Sequence, residues 1–174
     1  MSMQRGIRRT ALLALALLAT AAASSRAQAP GGGSRTMASR RQIETAVIRA
    51  VLREPYRDTL AVTCLSLGPS RAAPDSAFLA AVQVPGHGAV VAPGRCPPTY
   101  EIGERVGPNP PPRPPGARDP HLTWVAGVTP LRGGRARVQV WEDQGAHRTG
   151  YTCTATRAAS GWSAGCRVTY VAVV

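Results

Sequence analysis

The four cysteines of this chain constrain its fold more than any other feature. They lie at Cys64, Cys96, Cys153 and Cys166, and no two have the close spacing of a metal site such as C-x2-C. An even number in an exported chain is typical of disulfides, and four cysteines allow three connectivities. The pairing therefore depends on which strands bring two cysteines face to face.

The last two cysteines lie in segments that alternate as paired strands do. If Cys153 faces Cys166, one face of the hairpin is mainly apolar and the other is polar and small. The apolar face pairs Tyr151 with Val168 and Ala155 with Ala164, and the polar face pairs Thr152, Thr154 and Thr156 with Arg167, Gly165 and Ser163. A shift of the strand register by one residue would place apolar and polar side chains on the same face. The pattern predicts a Cys153–Cys166 disulfide and leaves Cys64–Cys96 as the second.

This hairpin contains the strongest enzyme-like motif in the chain. Gly161, Ser163 and Gly165 spell the G-x-S-x-G string of serine esterases. That motif needs a strand, a sharp turn and a helix, with an acid and a histidine later in the chain. The residues after Gly165 are CRVTYVAVV, which contain no His, Asp or Glu and favour a strand. Ser163 is therefore predicted to be a strand residue and not a nucleophile.

The N-terminus has the order of a secretory signal peptide. Three arginines within residues 5–9 precede an apolar run over 11–23 and small residues before a cut, which we place after Ala27. The apolar run is too short for a bilayer span. We expect a mature chain that begins at Gln28, has no transmembrane segment and is periplasmic or secreted. Arg8 and Arg9 leave the twin-arginine route open beside the general secretory route.

The remaining chain reads as a single α+β domain over 39–174, after a flexible Gly-rich lead at 28–38. A capping box at Ser39 and Gln42 begins a helix that Pro55 ends. A strand within 59–69, a short helix within 74–82 and a second short strand within 88–96 follow, then a Pro-rich loop at 97–120 and a four-strand meander from Leu122. We predict both helices packed on an antiparallel sheet with two disulfides.

The charge of the chain points to anionic partners. Every basic residue is Arg, and residues 28–174 hold 17 of them against nine acidic residues, a net charge of +8. They concentrate on the first helix, at Arg40, Arg41, Arg49 and Arg53, and around Arg132, Arg135 and Arg137. We expect Arg135 and Arg137 to bind anionic envelope components, lipid headgroups or acidic polysaccharide. Nucleic acid is not expected, because no aromatic residues interleave with the arginines.

No residue is predicted to be catalytic, to bind a cofactor or to ligate a metal. Glu142, Asp143 and His147 come together at one turn, but the spacings typical of metal sites are absent. His87 and His121 are isolated from any Ser or Cys nucleophile. With both disulfides formed, no free thiol remains.

The string Y-x-C-x-x-x-R-x-x-x-G-W, from Tyr151 to Trp162, resembles the closing hairpin of cystatin-like and nuclear-transport-factor-like rolls. It is also similar to uncharacterised exported proteins of environmental bacteria. The resemblance covers the last third of the chain and implies an α+β roll, a fold that hosts enzymes and binders alike. We expect a non-catalytic binding module. The alternative is a small hydrolase or isomerase, which a pocket holding a histidine beside an acid would favour.

Overall fold

The computed structural model describes residues 32–99 and 112–173. The elements are α1 (Gly32–Leu52), β1 (Thr63–Leu67), α2 (Ser76–Val82), β2 (Val90–Val91), β3 (His121–Leu131), β4 (Arg135–Gln144), β5 (His147–Ala158) and β6 (Gly161–Val173), with a 3-10 turn at Pro93–Arg95. The predicted signal peptide, the expected N-terminus at Gln28 and residues 100–111 of the Pro-rich loop lie outside the described residues. No described helix is long and apolar enough to cross a membrane.

The six strands form one mixed sheet in the order β2-β1-β3-β4-β5-β6. The meander from β3 to β6 is antiparallel throughout, as predicted. The expectation of a wholly antiparallel sheet is wrong, because β1 runs parallel to both β2 and β3. The helix α2 makes the crossover that a parallel β1–β2 pair requires. The connection over 92–120 then returns the chain to the opposite side of β1.

The first helix begins earlier than the capping box predicts. It starts at Gly32, so Ser39 and Gln42 lie inside α1, and residues 32–38 of the predicted flexible lead belong to the helix. No proline interrupts the chain between Gly32 and Glu54, so nothing in the local chemistry stops the helix at Ser39. Its C-terminal end at Leu52 agrees with the stop expected from Pro55.

Both helices contribute to one hydrophobic core on a single face of the sheet. Apolar residues of α1 recur at helical spacing and are buried, and Phe78 and Val82 of α2 join them. The sheet supplies every second residue of β4 and β5 to the same core: Ala136, Val138, Val140, Tyr151, Cys153 and Ala155. This alternation directs the side chains between them to the opposite face of β4–β6, which we call the outer face and which carries polar and aromatic residues.

The disulfides pair as predicted, Cys64 with Cys96 and Cys153 with Cys166. Cys153 lies directly opposite Cys166 in the β5–β6 ladder, and its neighbours follow the predicted register from Tyr151–Val168 to Arg157–Trp162. Two disulfides are typical of proteins that fold in an oxidising compartment.

Candidate functional site

The two arginines predicted to bind anions, Arg135 and Arg137, lie on the outer face of the sheet. Along β4 the burial alternates, so that Ala136, Val138 and Val140 face the core while Arg135 and Arg137 are exposed on the opposite side. Successive outward residues of a strand are about 7 Å apart. The two arginine side chains therefore start from neighbouring positions on one face of the sheet.

A third arginine on the same surface was missed by the sequence analysis. Arg167 of β6 faces Thr152 of β5, which in turn faces Gln139 of β4, and all three point outward. Its backbone thus lies about 10 Å from β4, two strand spacings away. The hairpin register places Arg167 on the polar face, so this signal was present before the structure. Arg167 stands alone in its stretch of sequence and therefore does not stand out as part of a basic cluster there.

These three arginines have no ion-pair or hydrogen-bond partner within the described residues. Only two residues between 121 and 173 are acidic, and neither lies among them: Glu142 faces the core, and Asp143 pairs with Arg148. Short polar side chains fill the surface between the arginines. We define the basic sheet face as Arg135, Arg137, Gln139, Thr152, Thr154, Thr156, Ser163 and Arg167.

An aromatic row continues the outer face beside Gln139 and Thr152. The rings of Trp124 and Trp141 stack with centroids 6.3 Å apart, and Tyr170 meets Trp141 edge-on at 5.5 Å. The guanidinium of Arg71 lies over the Trp124 ring, 4.2 Å from its centroid. Gly150 separates Trp141 from Tyr170, and a Cβ there would lie 2.8 Å from the Trp141 ring. We call Trp124, Trp141 and Tyr170 the aromatic row.

The core side of the sheet holds a buried polar network that the sequence did not reveal. Arg57 Nε donates to Glu142 Oε2 at 2.8 Å, and its Nη2 donates to Thr63 at 2.7 Å. Thr123 donates to the same carboxylate oxygen at 3.0 Å. His121 Nδ1 lies 3.0 Å from Glu142 Oε1, in an ionic contact that is poorly aligned for a hydrogen bond. His121 is therefore not isolated, as its sequence position suggests, but lies beside an acid.

The charges of this network shift the pKa values of Glu142 and Tyr151. Burial acts to raise the pKa of Glu142, but the contacts of His121 and Arg57 outweigh it and lower the pKa from 4.5 to about 2. Burial also raises the pKa of Tyr151, and the nearby charge of Glu142 adds to that effect. His121 Nε2 lies 3.2 Å from the backbone oxygen of Asp58. Both ring nitrogens of His121 therefore lie close to oxygens of the protein.

A cavity of about 400 Å³ adjoins the network. His121, Glu142 and Tyr151 line its inner wall, and the exposed residues Tyr56 and Val171 lie at its rim. Each carboxylate oxygen of Glu142 and each ring nitrogen of His121 already has a neighbour of opposite polarity in the protein. A general base needs an atom free to accept the substrate's proton. The network is therefore built to join strands, and proton transfer would require one of its contacts to open.

Of the other sequence candidates, Glu142 and His147 line this same cavity, whereas Asp143 is not part of its lining. Glu142 faces the core, Asp143 pairs bidentately with Arg148 at 2.8 and 3.1 Å, and His147 is exposed. No three His, Cys, Asp or Glu side chains within 32–99 and 112–173 are close enough to hold a metal ion. Within the described residues, the His87 ring contacts the backbone oxygen of Pro85 at 3.2 Å.

Ser163 lies within β6 on the basic sheet face, opposite Thr156. Its hydroxyl is 3.5 Å from the Thr156 backbone oxygen, and no histidine lies among its hydrogen-bond partners in the described chain. The motif from Gly161 to Gly165 is thus part of a hairpin strand.

No protein-family model, curated protein or solved structure matches this chain.

Proposed function

We propose that this protein is an exported, non-catalytic binding module that holds acidic polysaccharide of the cell envelope on its basic sheet face. The observation that carries the proposal is the cluster of Arg135, Arg137 and Arg167, exposed and unpaired among the described residues, on one face of the sheet without acidic neighbours. The predicted signal peptide and the two disulfides support a periplasmic or secreted location.

The chemistry of this face suits a carboxylated sugar polymer. Each guanidinium can bind a carboxylate through two parallel hydrogen bonds, a geometry that gives orientation as well as attraction. The threonine and serine hydroxyls between the arginines both donate and accept, as sugar hydroxyls do. The aromatic row borders the same surface and offers ring edges and faces for the apolar side of a sugar ring.

An anionic lipid surface fits the basic sheet face less well. Peripheral proteins that bind membranes stably combine charge with apolar side chains or a lipid that enters the bilayer. Between Arg135, Arg137 and Arg167 the surface presents hydroxyls, an amide and a glycine. This composition supports hydrogen bonding in water more than insertion into lipid.

Retention on immobilised polygalacturonate tests the proposal. The triple variant Arg135→Gln/Arg137→Gln/Arg167→Gln should bind about tenfold more weakly for each arginine removed, since hydrogen bonds to charged groups contribute about 1.5–3 kcal/mol. The matched control Arg49→Gln/Arg53→Gln/Arg95→Gln removes three exposed charges elsewhere and should retain nearly full affinity.

Three outcomes would contradict the proposal. Equal weakening by the control variant would mean that only net charge matters. Stronger binding to vesicles of anionic phospholipid than to polygalacturonate would assign the face to a membrane. Stronger binding to duplex DNA, with loss in the triple variant, would assign it to nucleic acid.

A small hydrolase or isomerase is the second candidate, because His121 lies beside Glu142 in the wall of a cavity. It ranks second since both ring nitrogens of His121 face protein oxygens. Turnover of a panel of p-nitrophenyl esters that His121→Gln abolishes, with the fold intact by circular dichroism, would support this candidate over the first.

A further inference from the structure

An open groove of about 950 Å³ runs along the start of β6, on the helix side of the molecule. One wall is the exposed side of α1, with Arg41, Thr45 and Arg49, and it continues to Arg53 just past the end of the helix. The floor includes Phe78 of α2 and the half-buried indole of Trp162. The opposite wall is residues 160–166 of the chain.

The strand presents its backbone to this groove. Side chains of a strand alternate between its two faces, yet every residue from Gly161 to Cys166 lines the groove. Among the described strands, β6 pairs only with β5 and forms an edge of the sheet. Alternate N–H and C=O groups of an edge strand point away from its neighbour and are free to pair with another chain.

The groove is positively charged. Arg49 and Arg53 are exposed, lie one helical turn apart and have no ion pair within the described residues. Arg41 pairs with Asp75, which also caps α2 by accepting from the Phe78 amide. The acidic residue among the groove's lining is Glu54, at the end of α1. A segment lying here would meet an excess of positive charge along its length.

We propose that this groove takes an extended acidic peptide segment, which adds to β6 as a further strand. Strand addition supplies backbone hydrogen bonds, and pockets beside the edge select alternate side chains. The exposed backbone over Gly161–Cys166 spans about 20 Å, enough for six residues of the partner. Acidic side chains directed at α1 would pair with Arg49 and Arg53.

A second copy of this chain is a poorer occupant. Its β6 carries Arg167 and its α1 carries the same arginines, so pairing two edges would bring like charges together. The groove lies on the helix side of the sheet and shares only Ser163 with the basic sheet face, and different arginines carry the two proposals, so each can be tested separately.

A fluorescein-labelled peptide of alternating Glu and Val, about eight residues long, is the probe. Fluorescence anisotropy should show saturable binding that Arg49→Gln/Arg53→Gln weakens about tenfold. The charge-matched variant Arg135→Gln/Arg137→Gln should bind the peptide as the parent protein does. The same peptide should slow hydrogen exchange of amides within 161–166.

Two further peptides make the test decisive. A peptide with Lys in place of Glu should bind at least tenfold more weakly, and one methylated on alternate backbone nitrogens should not slow exchange in β6. Equal binding of the methylated peptide would overturn strand addition. Equal weakening by Arg135→Gln/Arg137→Gln would overturn the groove as the site. A dimer in sedimentation velocity that the acidic peptide dissociates would identify a second copy as the occupant, and it would overturn the proposal that an acidic peptide of another protein binds the groove.

Discussion

Arg57 Nε donates to Glu142 Oε2 across 2.8 Å and joins two positions 85 residues apart in the chain. The contact ties the segment after α1 to the fourth strand, with both side chains almost wholly buried. His121 and Thr123 of β3 meet the same carboxylate. Removing one partner of a buried ion pair leaves an uncompensated charge, so this network should dominate the pH dependence of stability.

Acid should destabilise the protein through Glu142. Because its pKa is about 2 when folded and 4.5 ordinarily, its contribution to stability is fully present above pH 4.5 and is lost as pH falls toward 2. The difference corresponds to roughly 3 kcal/mol. Urea unfolding between pH 2 and 7 should show this loss of stability. In Glu142→Gln, the free energy of unfolding should depend less on pH below 4.5, and at pH 7 it should be about 3–5 kcal/mol lower than in the parent protein. If the free energy of unfolding of the variant fell with acid as steeply as that of the parent protein, Glu142 would not be the cause.

Each disulfide should stabilise the fold by restricting the unfolded chain. Cys153→Ala/Cys166→Ala should lower the free energy of unfolding by about 3 kcal/mol, and Cys64→Ala/Cys96→Ala, which opens a longer loop, by about 3.5–4 kcal/mol. Urea midpoints measured with and without reductant provide the check. In Cys153→Ala/Cys166→Ala, reductant should lower the urea midpoint only by cleaving the remaining Cys64–Cys96 bond. A Cys64–Cys153 cross-link in peptide mapping would contradict both the pairing and the strand register.

The packing of the aromatic row should require a glycine at position 150. A methyl group at this position meets the Trp141 ring at 2.8 Å and the Cβ of Tyr170 at 3.1 Å. Gly150→Ala should therefore destabilise the protein by about 1–3 kcal/mol and weaken the circular dichroism couplet of the stacked tryptophans. Gly165→Ala is the control, because nothing lies within 4 Å of a Cβ on that neighbouring strand. Equal losses in the two variants would refute the steric explanation.

Ser163→Ala should leave the protein essentially unchanged. The hydroxyl makes only a long contact to the Thr156 backbone, so its loss should alter stability by less than about 0.5 kcal/mol. Any hydrolysis of p-nitrophenyl acetate by the parent protein should persist at the same rate. Lost turnover with an intact fold would restore the serine as a nucleophile.

Local sequence patterns predicted the part of the fold that depends on neighbours in the chain. The Cys153–Cys166 register followed from alternation along two strands joined by a short turn, and the turn itself limits the choice of register. A similar alternation along β4 separates Arg135 and Arg137 from the buried Ala136, Val138 and Val140. The parallel pairing of β1 was not predicted, because it depends on where a long connection returns the chain and not on any local periodicity.

The buried network was beyond local reasoning for a different reason. Arg57, His121 and Glu142 come from three distant segments, and each resembles an ordinary surface residue in the sequence. Charged residues are seldom buried unless they find partners, and the partners exist only in the folded chain. Arg167 differs from these residues, since the hairpin register already placed it beside Thr152.

The most direct test of the proposed function is to locate the ligand on the protein by NMR. We expect titration with oligogalacturonate to shift the guanidinium Nε–H signals of Arg135, Arg137 and Arg167, together with amides of Thr152–Thr156, along one saturable curve. Signals of Arg49 and Arg53 on α1 should stay in place. Shifts confined to the α1 arginines, or spread evenly over all exposed arginines, would contradict the basic sheet face as the binding site.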